Sequence, residues 1–299
     1  MQFDVHTHFF LPEAAENPTG WSRQRKEFHW PQLVAPADKT SRQGWATPEE
    51  MIGAMDRDDI GKAIVQGWYW ENQDTIEEQN EALARTLSPY RNRLRLFAAF
   101  LPGGSNREMI NRAERLLERG FSGFGEISPT AQKFPLKDSS WLAFARWAEK
   151  KDVPVCLHVN EPVAKPRAGW QPESLQDYLE FALAFPRLRL ILAHLGGLLP
   201  IYASNPGIRR SIQSTRLLFD TAALPLLYHP RIFASLPPKS VLPRILFGSD
   251  YPLKLENPPE KQPSWAPSLA YLERTSLTPE QKDEILRENA RHHLPEIFS

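Results

Sequence analysis

MQFDVHTHFFLPE, residues 1–13, is the stretch on which the fold turns. MQFDV is short, apolar and free of helix caps, so it predicts a buried strand that starts at about Gln2. Side chains two apart on a strand share a face, so His6 and His8 project together. Two neutral imidazoles side by side suit one divalent metal ion. The residues just after the strand matter as much. An open doubly wound sheet normally carries a glycine-rich phosphate loop after its first strand, and HTHFFLPE contains no glycine. A closed barrel is the expectation, provided the rest of the chain alternates strand and helix.

It does. Apolar, β-rich runs recur at about 2–6, 62–67, 93–100, 121–127, 153–159, 188–194, 216–220 and 244–249. Amphipathic segments lie between them at 47–59, 75–87, 106–120, 139–151 and 172–185, with a last one at 278–294. The first of these opens on Thr47, Pro48 and Glu50, a capping-box start, and the last repeats the Thr-Pro-Glu opening. Strand–helix alternation implies parallel strands joined by right-handed crossovers. Eight such units in 299 residues match the size of a (β/α)8 TIM barrel of the α/β class, with residues 1–299 as a single domain.

Bulk properties narrow the function. Lys+Arg and Asp+Glu are 36 each, so no basic excess exists to track a phosphate backbone, and a nucleic-acid partner is not expected. The longest apolar stretch, LILAHLGGLLPIYA (190–203), is too short for a membrane span and contains a histidine and a proline. A lone cysteine, Cys156, cannot form an internal disulfide and favours a reducing compartment. The polar Asp4 and His6 in the first strand do not suit a signal peptide. The expectation is a soluble, cytoplasmic protein whose partner is a small molecule; a homo-oligomer stays open.

In barrels of this kind chemistry sits at the C-terminal ends of the strands. Those ends carry His6 and His8, Glu126, His158, His194 and Asp250, so half of the eight histidines fall there. The stretches DVHTHFF, CLHV (156–159), LAHLGG (192–197), LFGSDYP (246–252) and ILRENARHHL (285–294) together resemble the amidohydrolase superfamily. The likeness is greatest to the amidohydrolase-related branch with aminocarboxymuconate-semialdehyde decarboxylase-like and resorcylate decarboxylase-like enzymes, and it spans nearly the whole chain. The resemblance implies one divalent ion, zinc first, held by His6, His8, His158 and Asp250. His194 would stand just outside, orienting water or polarising substrate, and Asp250 would double as general base. GEIS (125–128) also resembles the TatD-like branch, which implies a second arrangement. There His6, His8 and Asp250 hold one ion, His158 and His194 another, and Glu126 bridges the two.

Other residues carry weaker signals. Asp4 is either a partner behind His6 or a buried acid satisfied by nearby donors. Cys156 reads as a small buried hydrophobe. Asp220 reads as a helix cap or an acid behind the ligands. Trp68 and Trp70 after the second strand, with Asn160, are the expected substrate contacts, in an aromatic mouth that also draws on the long first loop. Arg23, Arg25, Lys26, Lys165, Arg167, Arg209 and Arg210 are candidate carboxylate anchors. The leading functional expectation is a metal-dependent hydrolase of a small cyclic ester or amide. The alternatives are a non-oxidative decarboxylase of an aromatic or muconate-like acid and, in another class, a barrel that binds without catalysis.

Overall fold

Eight strands hydrogen-bond in chain order into one sheet. They are β1 (Gln2–His8), β2 (Ile60–Gln66), β3 (Leu94–Ala98), β4 (Gly123–Ile127), β5 (Val155–Leu157), β6 (Leu190–Leu192), β7 (Leu217–Asp220) and β8 (Ile245–Leu246). Every neighbouring pair is parallel. The sheet closes on itself beyond β8. Val5 N–H donates to the Phe247 carbonyl, Asp250 N–H to that of His6 and His8 N–H to that of Tyr251. The structure, a computed structural model, describes residues 1–37, 40–163, 174–256 and 262–298. Lys165 and Arg167 lie outside the described residues.

The crossovers are helical where the sequence pattern requires it. The helix Pro48–Arg57 starts on the expected capping box, with Thr47 accepting from Glu50 N–H and Glu50 reaching back to Thr47 N–H. The helix Asn106–Glu118 is capped by Ser105, and Ser139–Lys151 by Asp138. Buried faces of these helices pack on the outside of the strands in one core that includes Met51, Met109, Trp141 and Phe144. A second core fills the barrel itself. Phe3, Val5, Ile64, Phe97, Ile191, Leu218 and Leu246 meet inside it, and Leu294, Ile297 and Phe298 plug the floor. Phe3 and Phe298 stack with ring centroids 4.9 Å apart. The floor is closed by apolar side chains, so polar chemistry is confined to the opposite end.

The long first connection is not a bare loop. Three short helices, Pro12–Glu16, Pro18–Arg25 and Trp30–Val34, fold over one side of the mouth. Phe10, Trp21, Trp30 and Trp70 lock them down as a third apolar cluster. Each helix has proline in its first turn, where the missing N–H costs nothing. No helix among the described residues is long and apolar enough to cross a membrane.

Candidate metal centre

β1 reaches the mouth through an irregularity. Asp4 pairs with Ala63 and Thr7 with Val65, so three steps on β1 match two on β2. Such a bulge bends the strand and re-aims its side chains. Val5 joins the barrel core while its neighbour His6 turns to the same interior with His8. The Nε2 atoms of His6 and His8 come within 3.2 Å of each other. Asp250, in the turn after β8, places Oδ1 3.4 Å from His8 Nε2. His6, His8 and Asp250 form one group of converging ligand atoms.

A second group lies beside it. Glu126 on β4, His158 after β5 and His194 after β6 converge in the same way. Glu126 Oε1 lies 2.8 Å from His158 Nδ1 and 3.4 Å from His194 Nε2. Its other oxygen, Oε2, faces the first group at 3.7 Å from His6 Nε2 and 3.6 Å from His8 Nε2. Glu126 therefore touches both groups, one oxygen to each. The single-ion expectation puts His158 with His6, His8 and Asp250 and leaves His194 outside. In this geometry His158 lies against His194 and both rings meet the Glu126 carboxylate, the grouping that the two-ion expectation uses.

All four imidazoles are anchored by hydrogen bonds. His6 Nδ1–H donates to Asp220 Oδ2 at 2.8 Å, and His8 Nδ1–H to the Gln66 carbonyl at 3.3 Å. His194 Nδ1–H donates to the Ala222 carbonyl at 3.0 Å; His158 Nδ1–H donates to Glu126 Oε1 at 2.8 Å, and its Nε2 lies 3.3 Å from Asn160 Oδ1. His6, His8 and His194 then turn Nε2 inward, and His158 turns Nδ1 to the Glu126 carboxylate. Ring nitrogens 3.1 and 3.2 Å apart, with two carboxylates beside them, call for positive charge among them, carried by protons or by a metal ion. Outer hydrogen bonds that fix the tautomer and leave lone pairs convergent are how metal-binding histidines are held. The residues present fit one divalent ion in each group.

The electrostatics point the same way. Burial disfavours a charged His194, yet the Glu126 and Asp250 carboxylates push its pKa up to about 9. Burial also opposes charge on His6, and Asp220 and Glu126 still hold it well above the usual range. Glu126 stays ionised against its own burial because His158 and His6 draw its pKa well down. Without a metal, His6 and His194 therefore hold protons beside these carboxylates. His194 and Asp250 also sit at φ values of 58° and 66°, left-handed conformations that non-glycine residues adopt mainly where the surroundings enforce them.

Supporting residues resolve into clear roles. Asp220 accepts from His6, from the His194 N–H and from the Ala222 N–H, so it sits behind the ligands and fixes two of them. Asp4 is buried and accepts from His6 N–H, both Ser249 donors and the Trp265 indole. It is a satisfied acid that ties β1 to the end of β8; burial pushes its pKa up to about 7. Cys156 is fully buried below His6, and burial pushes its thiol up to about 12, which leaves it unreactive.

Above both groups opens a cavity of about 650 Å³. Trp68 and Asn160 line it, as do Tyr69, His29 and Arg42. Trp70 does not: it is buried behind that wall against Phe10, Trp21 and Trp30. Trp68 stacks on Tyr69 at 4.3 Å, and Tyr69 packs against His158 at 5.1 Å. Of the candidate carboxylate anchors, Arg23, Arg25, Lys26, Arg209 and Arg210 do not line the cavity; Arg25 pairs with Glu78 instead. Tyr69 belongs to the aromatic run GWYW (67–70) after β2, whereas Arg42 and His29 carry no motif that would single them out and join the site only through the folding of loops. Asp220, by contrast, is legible as the acid ending β7.

Comparisons with known proteins agree with this architecture. The family model described as Amidohydrolase matches residues 3–295. No curated protein matches the chain. Among solved structures, 2,6-dihydroxybenzoate decarboxylase from Rhizobium superposes with a TM-score of 0.67 at 18% identity, covering 99% of this chain and 98% of that one. A 5-carboxyvanillate decarboxylase from Novosphingobium aromaticivorans, complexed with manganese and a nitrobenzoic acid, gives 0.71 at 17% over 98% and 95%. A probable 2-pyrone-4,6-dicarboxylic acid hydrolase from Acinetobacter baumannii gives 0.66 at 15% over 97% and 98%. At these identities the likeness is one of fold.

Proposed function

Since the chain belongs to the amidohydrolase family, we propose that it is a divalent-metal-dependent hydrolase of a small, flat cyclic ester or amide. One observation carries the reading: Glu126 faces His6 and His8 with one carboxylate oxygen and His158 and His194 with the other. His6, His8 and Asp250 would hold one ion, His158 and His194 a second, with Glu126 shared. Imidazole and carboxylate donors suit zinc first and manganese next. An ion held there supplies a Lewis acid for a carbonyl oxygen and brings the pKa of a coordinated water down to about 7.

The chain's own groups would do the rest. Asp250 borders both the ligand cluster and the cavity, so its carboxylate is placed to accept a proton from an attacking water. Trp68 and Tyr69 give a flat ring a face to stack on. Asn160, fixed by His158, has an amide at the cavity wall to orient a polar substituent. Asp220 and the Ala222 carbonyl keep the imidazoles in one tautomer throughout.

The second reading is non-oxidative decarboxylation of an aromatic acid, favoured by Arg42 in a cavity with flat aromatic walls. Two measurements on one preparation separate the outcomes. Elemental analysis should find two metal equivalents per chain, falling on Glu126→Gln. A panel of lactones, cyclic amides and phenolic carboxylic acids, read for ring opening and for carbon dioxide, should show ring opening. Carbon dioxide without ring opening would replace the first reading by the second.

A further inference from the structure

Glu161 follows His158 on the loop after β5, and its side chain stands half-buried at the wall of the main cavity. Among the described residues it joins neither group of converging ligand atoms and no ion pair. Two neutral donors hold its carboxylate instead. The Tyr228 hydroxyl donates to Oε2, and the Val163 N–H donates to Oε1 at 3.1 Å. A carboxylate accepts about four hydrogen bonds, so each oxygen keeps a lone pair to spare. Tyr228 lies half-buried just past the short helix Leu224–Leu227 and does not itself line the main cavity. It steadies Glu161 from behind, across from the loop after β7. An acid fixed by a phenol is held in place yet not neutralised, as it would be by an arginine. That is a preorganised anionic contact.

The rest of the cavity says what meets that contact. Trp68 and Tyr69 offer flat faces, and Leu226 and Leu227 an apolar wall. Arg42 lines the other rim, where its guanidinium donates to the Glu256 carbonyl beyond β8. In a barrel closed in chain order, β5 faces the seam between β8 and β1, so Glu161 and Arg42 stand on opposite sides. An acidic substituent beside Glu161 would be repelled, and an apolar edge would strand the carboxylate away from water. A cationic N–H donor gains a charge-assisted hydrogen bond there. We infer that Glu161 sets substrate specificity: the ring that enters the metal-side cavity carries a protonated nitrogen group on the edge facing the loop after β5. Tyr228 is the positioning residue for that acid. The inference rests on the proposed hydrolytic reading only in taking this cavity as the substrate's. Under that reading the substrate is a cyclic ester or amide with a basic substituent.

The test uses the metal-loaded protein and benzamidine, a flat ring with a cationic fork of N–H donors. Uncharged benzamide is its shape-matched control. Each is titrated calorimetrically into wild type, Glu161→Gln and Tyr228→Phe, with metal content measured in all three. Benzamidine should bind wild type more tightly than benzamide does. Glu161→Gln should weaken benzamidine about tenfold or more and leave benzamide binding and metal content unchanged. Tyr228→Phe should weaken benzamidine less, because the acid remains but loses its support. Glutamine has the shape of glutamate and still accepts from Tyr228, so that variant keeps the fold. Equal binding of the two probes to wild type would overturn the proposal. So would identical benzamidine titrations of wild type and Glu161→Gln, or no binding of benzamidine at about 10 mM. Binding is read without turnover, so either failure leaves the hydrolytic reading standing. The expected titrations in a protein that opens no ring would retire that reading and keep Glu161 as the specificity residue.

Discussion

Asp220 makes three hydrogen bonds at once, and each serves a different part of the metal centre. Its Oδ2 takes the His6 Nδ1–H at 2.8 Å, while Oδ1 takes the His194 and Ala222 backbone N–H groups at 3.0 Å each. One side chain thus fixes a ring on β1 and the left-handed backbone after β6. Asp220→Asn changes no volume but offers His6 either a weaker acceptor or an amide N–H that forces the ring into the other tautomer. Metal affinity should fall by about 10- to 100-fold, the usual cost of losing a partner behind a ligand. Competition against a chelator of known affinity measures this directly. Equal affinity in wild type and variant would mean that His6 is oriented by packing alone. Asp250 itself stays ionised although burial opposes it, because His8, His6 and His194 draw its pKa down.

At the scale of elements, β4 makes the strongest demand. Gly125 precedes Glu126 with φ of 149°, and a Cβ there would come within 2.7 Å of both Cys156 Cβ and Gln66 Oε1. The tip of Gln66 can swing aside, but Cys156 Cβ and its backbone carbonyl on β5 cannot, so Gly125→Ala pushes β4 outward and carries Glu126 with it. Strain of this kind costs about 1–3 kcal/mol, and urea unfolding should register it. The second metal equivalent should be lost as well, while a substitution of equal cost on a distant helix leaves metal content intact. The elements also show what sequence can convey. All eight strands stand out because each is a short apolar run, and several of the helices between them open on a cap that local chemistry dictates. The helices Pro12–Glu16, Pro18–Arg25 and Trp30–Val34 do not, since each is about one or two turns long and held by aromatic burial rather than by its own periodicity. The β1 bulge is equally hidden. It depends on register against β2, so the sequence shows why His6 and His8 share a face but not why Val5 turns inward beside them.

For the whole molecule, barrel closure brings five strands' ends to one point. β1, β4, β5, β6 and the turn after β8 each deliver candidate ligands, so the candidate metal centre spans the contacts that hold the two ends of the chain together. Stability and metal content should then be linked. In the metal-free protein, protons on His6 and His194 supply the positive charge at the cluster. A histidine whose folded pKa is raised from 6.5 to about 9, as His194 is, adds stability that is complete below pH 6.5. That contribution fades as pH climbs through about 9. The acidic side has the opposite sign. Glu126 and Asp250, held below their ordinary range, add stability that is present above about pH 4 and is lost as pH falls. Ions held there would remove the alkaline limb, because they would supply the positive charge at every pH where they stay bound. The melting temperature of chelator-stripped protein should therefore drop between pH 6.5 and 9, whereas that of metal-loaded protein should stay level. Differential scanning calorimetry of both forms across that range decides it. Parallel curves would show that these carboxylates and imidazoles do not exchange protons for metal, and the two-ion reading would lose its electrostatic basis.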